Sequence, residues 1–285
     1  MGSRSVTIRL APLSRGWARL VGSETSAHYE RLAGSYDQNW AHSEAFLGWM
    51  AREIASALGL KAGDRVADVG CGTGLFAGRL LDAVGPGVPI LCVDPSEGML
   101  KQLPADPRLV AVHASAEQLA ANRGGREADG TGMPAGSLDA LVVKEAIHHV
   151  SAADRRWVVA GLAGLLAAGG RFLVAMLPTT ISYPLFGAAL RRFEQLQPDP
   201  EDIAAYMRAA GLAADVTYRE FELRIPKDRY LGMVRDRYMS LLATFTDEEL
   251  AAGVAEIDGR FPGPVLVFAD RFAFVLGTSP QEAAP

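Results

Sequence analysis

Residues 65–74, RVADVGCGTG, constrain this chain more than any other stretch. Val66, Ala67 and Val69 make a short apolar run that Asp68 interrupts near its end. Gly70, Gly72 and Gly74 follow within five residues. Next comes LFAGRLLDAV, with Leu75, Leu80, Leu81 and Val84 at helical spacing. The order predicted is a buried strand, a tight glycine turn and a helix. Glycine permits the backbone geometry of such a turn and lets a ligand lie against the main chain. The turn is also expected to aim unpaired N–H groups of the following helix at whatever binds there.

The glycine spacing is G-x-G-x-G, not the G-x-G-x-x-G of the dinucleotide fingerprint. Twenty residues past Gly74, PILCVDPS ends a second apolar strand in Asp94. An acid there is placed to accept hydrogen bonds from ribose hydroxyls. Ser96, Gly98, Met99 and Leu100 then open another helix.

These residues resemble motif I of the class I methyltransferases that use S-adenosylmethionine (SAM). YERLAGSYD, at 29–37, resembles the segment before that motif in the ubiquinone/menaquinone methyltransferase group. The resemblance covers roughly 29–277. It implies an α/β, Rossmann-like, seven-stranded and mostly parallel sheet, with an antiparallel edge hairpin and a helical lid. It implies SAM as cofactor, S-adenosylhomocysteine (SAH) as product and a small-molecule acceptor, in bacterial secondary or cofactor metabolism. Gly70, Cys71, Gly72 and Gly74 would line the cofactor turn, with Asp94, Pro95 and Met99 one strand over. In the resembling family the end of the third strand often reads Asp-Ala and contacts adenine. Here Ser115, Ala116 and Glu117 stand there, so the contact would fall to the Ser115 hydroxyl or to the backbone. Asp68 would help hold the amino-acid end of SAM, with Lys144 nearby. Tyr29 and Tyr36 would lie near the methionine end, as part of the lid.

Composition narrows the partners. The chain has 285 residues, a net charge of −5 and apolar content near half, which reads as globular and soluble. The acidic balance disfavours nucleic acid. Cys71 and Cys92 are the only cysteines, and both fall in the predicted strand and turn region, so no disulfide framework or cysteine metal site is expected. No apolar run approaches the length of a membrane span. Residues 1–24 read as a loose basic tail without the apolar core of a secretory signal, so a cytoplasmic protein is expected. Oligomeric state is left open, a dimer among the options.

The rest of the chain alternates strands and helices. Residues 25–64 read as a helical N-terminal segment, with Phe46, Leu47, Met50, Ile54 and Leu58 as one apolar stripe. The core, 65–177, has strands at 65–70, 89–94, 108–115, 138–143 and 171–177. Alternation of this kind implies a parallel sheet, whose ligands bind outside the carboxyl ends of the strands. Asn122 to Ser137 reads as a long mobile loop. Ser151 and Asp154 start a helix that Gly169 and Gly170 are expected to close. Residues 178–285 carry two more strands, 216–225 and 265–277. Helical segments at about 178–197 and 226–262 read as a substrate lid.

The catalytic candidates are His149 and His148, after the fourth core strand. A neutral imidazole is suited to taking a proton from a hydroxyl near pH 7. Adjacent residues in extended chain point opposite ways, so one of the two should face the pocket. O-methylation leads, and C-methylation follows. A carboxylate acceptor needs no base and would use Arg235, Arg237 or their rivals Arg191 and Arg192, near Tyr238. Glu145 either pairs with Lys144 or anchors the methionine ammonium. A SAM-binding protein that does not methylate, such as a cyclase of the same fold, stays open, and an NAD-type oxidoreductase is disfavoured by the glycine spacing. No N/D-P-P-[YF] motif follows the fourth strand, and no metal-ligand cluster is visible.

Overall fold

The structure is a computed structural model, which describes residues 7–9, 43–85, 87–122 and 133–281. Tyr29, Tyr36 and most of the polar stretch before Ser137 lie outside the described residues.

One sheet organises the chain. Its strands are β1 (Thr7–Arg9), β2 (Val66–Val69), β3 (Ile90–Asp94), β4 (Leu109–His113), β5 (Leu138–Lys144), β6 (Leu166–Met176), β7 (Ala213–Pro226) and β8 (Val265–Thr278). The order across the sheet is β1-β4-β3-β2-β5-β6-β8-β7. β1 to β6 run parallel, and β8 is antiparallel to both β6 and β7. Seven strands match the expectation. The eighth, β1, falls within the stretch read as a loose tail and pairs with β4 from Thr7 to Arg9. Its three residues are too few to give a periodic signal.

Side-chain alternation explains why the sheet is covered on both faces. Val66, Ala140, Val142, Leu173 and Ala175 join one apolar cluster. Ala67, Val69, Leu141, Val143, Phe172 and Val174 join the other. The first face is packed by α1 (Glu44–Leu58) and α2 (Leu75–Val84), the second by α4 (Ala116–Ala121) and α5 (Arg155–Ala163). The short α3 (Glu97–Leu100) follows β3. In α1 the five stripe residues are all buried. Ser43 caps its start, accepting from the Phe46 N–H, and Gly59 ends it in the left-handed region.

The helix after Ser151 ends earlier than expected. α5 stops at Ala163 with Gly164 as its cap, and Gly169 and Gly170 lie instead in the early part of β6. There the register against β5 shifts between Leu138 and Ala140. A backbone kink takes up the glycines, a role they share with helix ends.

Beyond β6 come α6 (Gly187–Leu196) and α7 (Pro200–Ala209), and between β7 and β8 come α8 (Lys227–Arg235) and α9 (Asp247–Arg260). α6 and the β7–β8 insertion pack together. Arg192 donates to the Thr244 carbonyl at 2.8 Å and lies over the Phe245 ring. The N–H of Gly187 donates to Glu256 at 2.8 Å. Among the described residues no helix is long and apolar enough to cross a membrane.

Candidate active site

The strand order reverses direction at β2. β3 and β4 lie to one side of it, β5 and β6 to the other. Such a switch point opens a crevice at the carboxyl edge of the sheet. The turn after β2 and the turn after β5 both end there, and they touch. A Cβ built on Gly70 would sit 2.3 Å from the Ala146 Cβ. Glycine is required at Gly70 for that approach, and its φ of 76° is in the left-handed region.

The turn itself differs from expectation in one respect. The N–H groups of Gly70 and Cys71 donate to the Val93 carbonyl at 2.8 and 3.1 Å, and that of Gly74 to the Cys71 carbonyl at 3.0 Å. The Gly72 N–H donates to Asp94 Oδ2 at 2.9 Å. These four amides are therefore taken within the protein and are not left to a ligand. What the turn offers is space: a Cβ built on Gly72, at φ 56°, meets nothing within 4 Å. That open side is the place where a ligand can lie on the backbone.

Asp94 is 8% exposed and its other oxygen, Oδ1, accepts from the Ser96 N–H at 2.8 Å. A carboxylate offers about four acceptor sites, and these amides take one each. Pro95 gives its carbonyl to the exposed His113 Nε2 at 2.9 Å. Met99 is buried, and its N–H donates to Ser96 Oγ, so its side chain belongs to the wall of α3. Ser115 is a helix cap. Its Oγ accepts from the Gln118 N–H at 3.2 Å, and Gln118 Oε1 accepts from the Ser115 N–H at 2.8 Å. The hydroxyl expected at adenine is thus engaged in a capping box, with Ala116 and Glu117 in the first turn behind it.

Asp68 is 3% exposed. Burial pushes its carboxyl up to about 7, with Asp94 adding to the rise and Lys144 opposing it. Burial likewise pushes the Cys71 thiol well above its usual value, so it stays protonated. Lys144 leaves β5 with its Nζ 4.6 Å from the Phe76 ring centroid and 5.6 Å from that of Phe272. Burial lowers its pKa, while Glu145, Asp270 and Asp68 hold the proton on. Glu145 has φ 52° and accepts from the Leu177 N–H at 2.9 Å. It ties the end of β5 to the end of β6.

His148 and His149 lie in a 3-10 turn, Ile147–His149. Their rings lie side by side, with centroids 4.0 Å apart. The expectation of opposite directions fails because the backbone here is a turn and not extended chain. Burial lowers the His148 pKa well below the ordinary imidazole value, and His149, Arg155 and Lys144 add to this. His148 is neutral.

Two residues at this edge were not read from the sequence as site residues, Asp270 and Tyr183. Asp270 sits in β8, and its Oδ1 accepts from the Tyr183 hydroxyl at 2.5 Å. The only hint in the sequence is a single acid in the apolar run VLVFADRFAFVLG. Two of the four candidate arginines, Arg192 and Arg237, are otherwise engaged. Arg237 donates to Asp247 at 2.7 Å and to the Phe245 carbonyl. A groove of about 520 Å³ in the insertion holds Arg235 and Arg237 together with Asp247 and Asp258, so its charges balance. Tyr238 is buried against Tyr230.

A mostly parallel sheet with this order, a glycine turn and an acid one strand over make a Rossmann-like fold, the fold of the solved structures to which this chain is similar. Residues 67–172 match the methyltransferase domain family. The [4+2]-cyclase SpnF is similar in structure, at 16% identity and a TM-score of 0.60, covering 98% of this chain and 100% of that one. An antibiotic biosynthesis protein of Anabaena variabilis, described as a methyltransferase, has 15% identity and a TM-score of 0.60, covering 81% of this chain and 96% of that one. A phosphoethanolamine N-methyltransferase of Haemonchus contortus, in complex with SAM, has 18% identity and a TM-score of 0.52, covering 92% of this chain and 59% of that one. No curated protein matches the sequence. Over residues 67–172 the chain is similar to a methyltransferase domain, it shares the fold of these structures, and the similarity points to SAM as the cofactor.

The donor set fits that cofactor. Buried Asp68 suits an ammonium, Asp94 suits ribose hydroxyls, and the open side of Gly72 leaves room between them. Among the described residues no group of three His, Cys, Asp or Glu could hold a metal ion.

Proposed function

We propose that this enzyme methylates a hydroxyl oxygen of a small molecule, with C-methylation of an activated carbon as the nearest alternative. One observation carries the reading. The turn bearing His148 and His149 is packed on the cofactor turn, through Ala146 against Gly70. When bound, SAM supplies an electrophilic methyl carbon on a sulfonium leaving group.

On this reading Gly70, Cys71, Gly72 and Gly74 form the floor under the cofactor, and Asp94 holds the ribose beside Pro95 and Met99. The Ser115 backbone, with Ala116 and Glu117, borders the adenine. Asp68 accepts from the ammonium, and Lys144 opposes the rise that burial causes in the Asp68 and Glu145 carboxyls. His149 takes the proton of the acceptor hydroxyl. His148, a weaker base because it is buried, positions its neighbour. α6 and the β7–β8 insertion act as the lid that excludes water. The antibiotic-pathway neighbour supports a setting in secondary metabolism.

The test is product accounting with SAM and hydroxylated aromatic or polyketide-like acceptors. SAH must form in proportion to a product with one added methyl group. A second reading is favoured by the SpnF likeness, which spans nearly the whole chain. A cyclase would convert its substrate without forming SAH.

A further inference from the structure

The proposed methyl transfer leaves one buried carboxylate without a task. Asp270 is 4% exposed and lies on β8 beyond the stretch that pairs with β6, since Ala273 is the partner of Met176. It therefore stands past the carboxyl edge of the parallel strands, where the acceptor must enter. Its Oδ1 accepts from the Tyr183 hydroxyl. Among the described residues nothing donates to Oδ2.

Among the described residues, the ionisable groups that face Asp270 come from separate parts of the chain. Tyr183 comes from the chain after β6, Lys144 and Glu145 from the end of β5, and Tyr230 and Tyr238 from the insertion. The charges do not balance. Among the described residues, Asp68, Glu145 and Asp270 are three acids set around one cation, Lys144. On the reading above, the ammonium of SAM offsets Asp68, and Lys144 offsets its neighbour Glu145. Asp270 is left over. A buried carboxylate is costly unless it is paired.

The walls around it are aromatic. Tyr183 meets the Phe268 ring edge-on at 5.2 Å, Tyr230 meets Phe268 at 5.7 Å, and Tyr230 meets Tyr238 at 5.9 Å. Aromatic faces beside a carboxylate attract a cation.

We propose that Asp270, oriented by Tyr183, anchors a protonated amine of the acceptor, so that the substrate of this enzyme is a basic small molecule. The proposal rests on the methyltransferase reading and specifies its acceptor. The amine is the group recognised, and the atom methylated lies nearer His149. Burial pushes the Asp270 carboxyl up to about 7, with Glu145 adding to the rise and the Tyr183 hydroxyl and Lys144 opposing it.

The test is calorimetry on SAH-loaded protein above pH 7. Phenethylamine and tyramine are titrated, and phenylacetate serves as the anion of matching shape. The amines should bind and phenylacetate should not. Asp270→Asn should weaken amine binding roughly tenfold or more, the scale of losing one side of a buried charge pair, while SAH binds as before. Tyr183→Phe should fall between the two proteins. In the unmutated protein amine affinity should drop as pH falls below about 7, which keeps the test independent of how Asp270→Asn folds. Equal amine affinity in Asp270→Asn, phenylacetate binding as tightly as the amines, or no binding of either amine overturns the proposal. Failure of SAH itself to bind would overturn the methyltransferase reading beneath it.

Discussion

The Gly72 N–H donates to Asp94 Oδ2 across 2.9 Å, which ties the cofactor turn after β2 to the end of β3. On the proposed reading Asp94 has two functions: it holds the shape of the turn, and it presents a carboxylate to the ribose. Asp94→Ala removes both. SAH affinity should fall by about 1–3 kcal/mol, the scale of losing buried hydrogen bonds to a charged group. Titration calorimetry reads this directly, and unchanged affinity would remove Asp94 from the site.

The glycines separate shape from space. Gly70→Ala forces a Cβ to within 2.3 Å of Ala146, so the turn or the β5 loop must shift. Gly72→Ala meets nothing within 4 Å among the described residues, and its cost is the left-handed backbone, about 1–2 kcal/mol. Thermal unfolding should therefore place Gly70→Ala well below Gly72→Ala. Both should lose SAH affinity, Gly72→Ala because its methyl fills the cofactor side.

Asp68 makes pH part of the account. Its folded pKa of about 7 lies above the ordinary carboxylate value. Between those two values the folded state holds a proton that the unfolded state has lost. The Asp68 contribution to stability therefore declines as pH rises through this window and levels off above about 7. Asp270, also near 7, acts in the same direction. Thermal melts of the ligand-free protein should show this decline, and Asp68→Asn should reduce it. An ammonium beside Asp68 favours its ionised form, so SAH binding should release protons near neutrality and tighten with rising pH. Calorimetry in buffers of different ionisation enthalpy measures that release, and a pH-independent affinity would contradict it.

The two histidines should respond differently. A positioned general base contributes about 10²–10⁴-fold to rate. His149→Ala should lower turnover on that scale with SAH affinity kept. His148 is held neutral by burial, so its titration should not appear in the pH–rate profile near neutrality. Equal turnover in His149→Ala and the unmutated enzyme would remove His149 as the base.

Much of the fold was legible because it rests on local patterns. Short apolar runs marked β2 to β6, and the stripe of Phe46, Met50 and Ile54 marked α1. The turn of the candidate site was legible because glycine has few rivals at left-handed positions, as at Gly70, Gly72 and Gly74. It was less so where a polar side chain had a local partner to choose. Ser115 is satisfied by Gln118 three residues on, and Gly169 and Gly170 serve a strand irregularity. The amides of the turn were engaged by Val93 and Asp94, which only the pairing of β2 with β3 brings close. Asp270 and Tyr183 are 87 residues apart in sequence, and no spacing rule joins them.

The most direct test of the central claim, that the crevice between β2 and β5 grips an adenosyl group, is calorimetric titration of the purified chain with SAH and with NAD. The account predicts one SAH bound per chain, weakened in Asp94→Ala, and no heat from NAD. Absence of SAH binding, or NAD binding in its place, would contradict it.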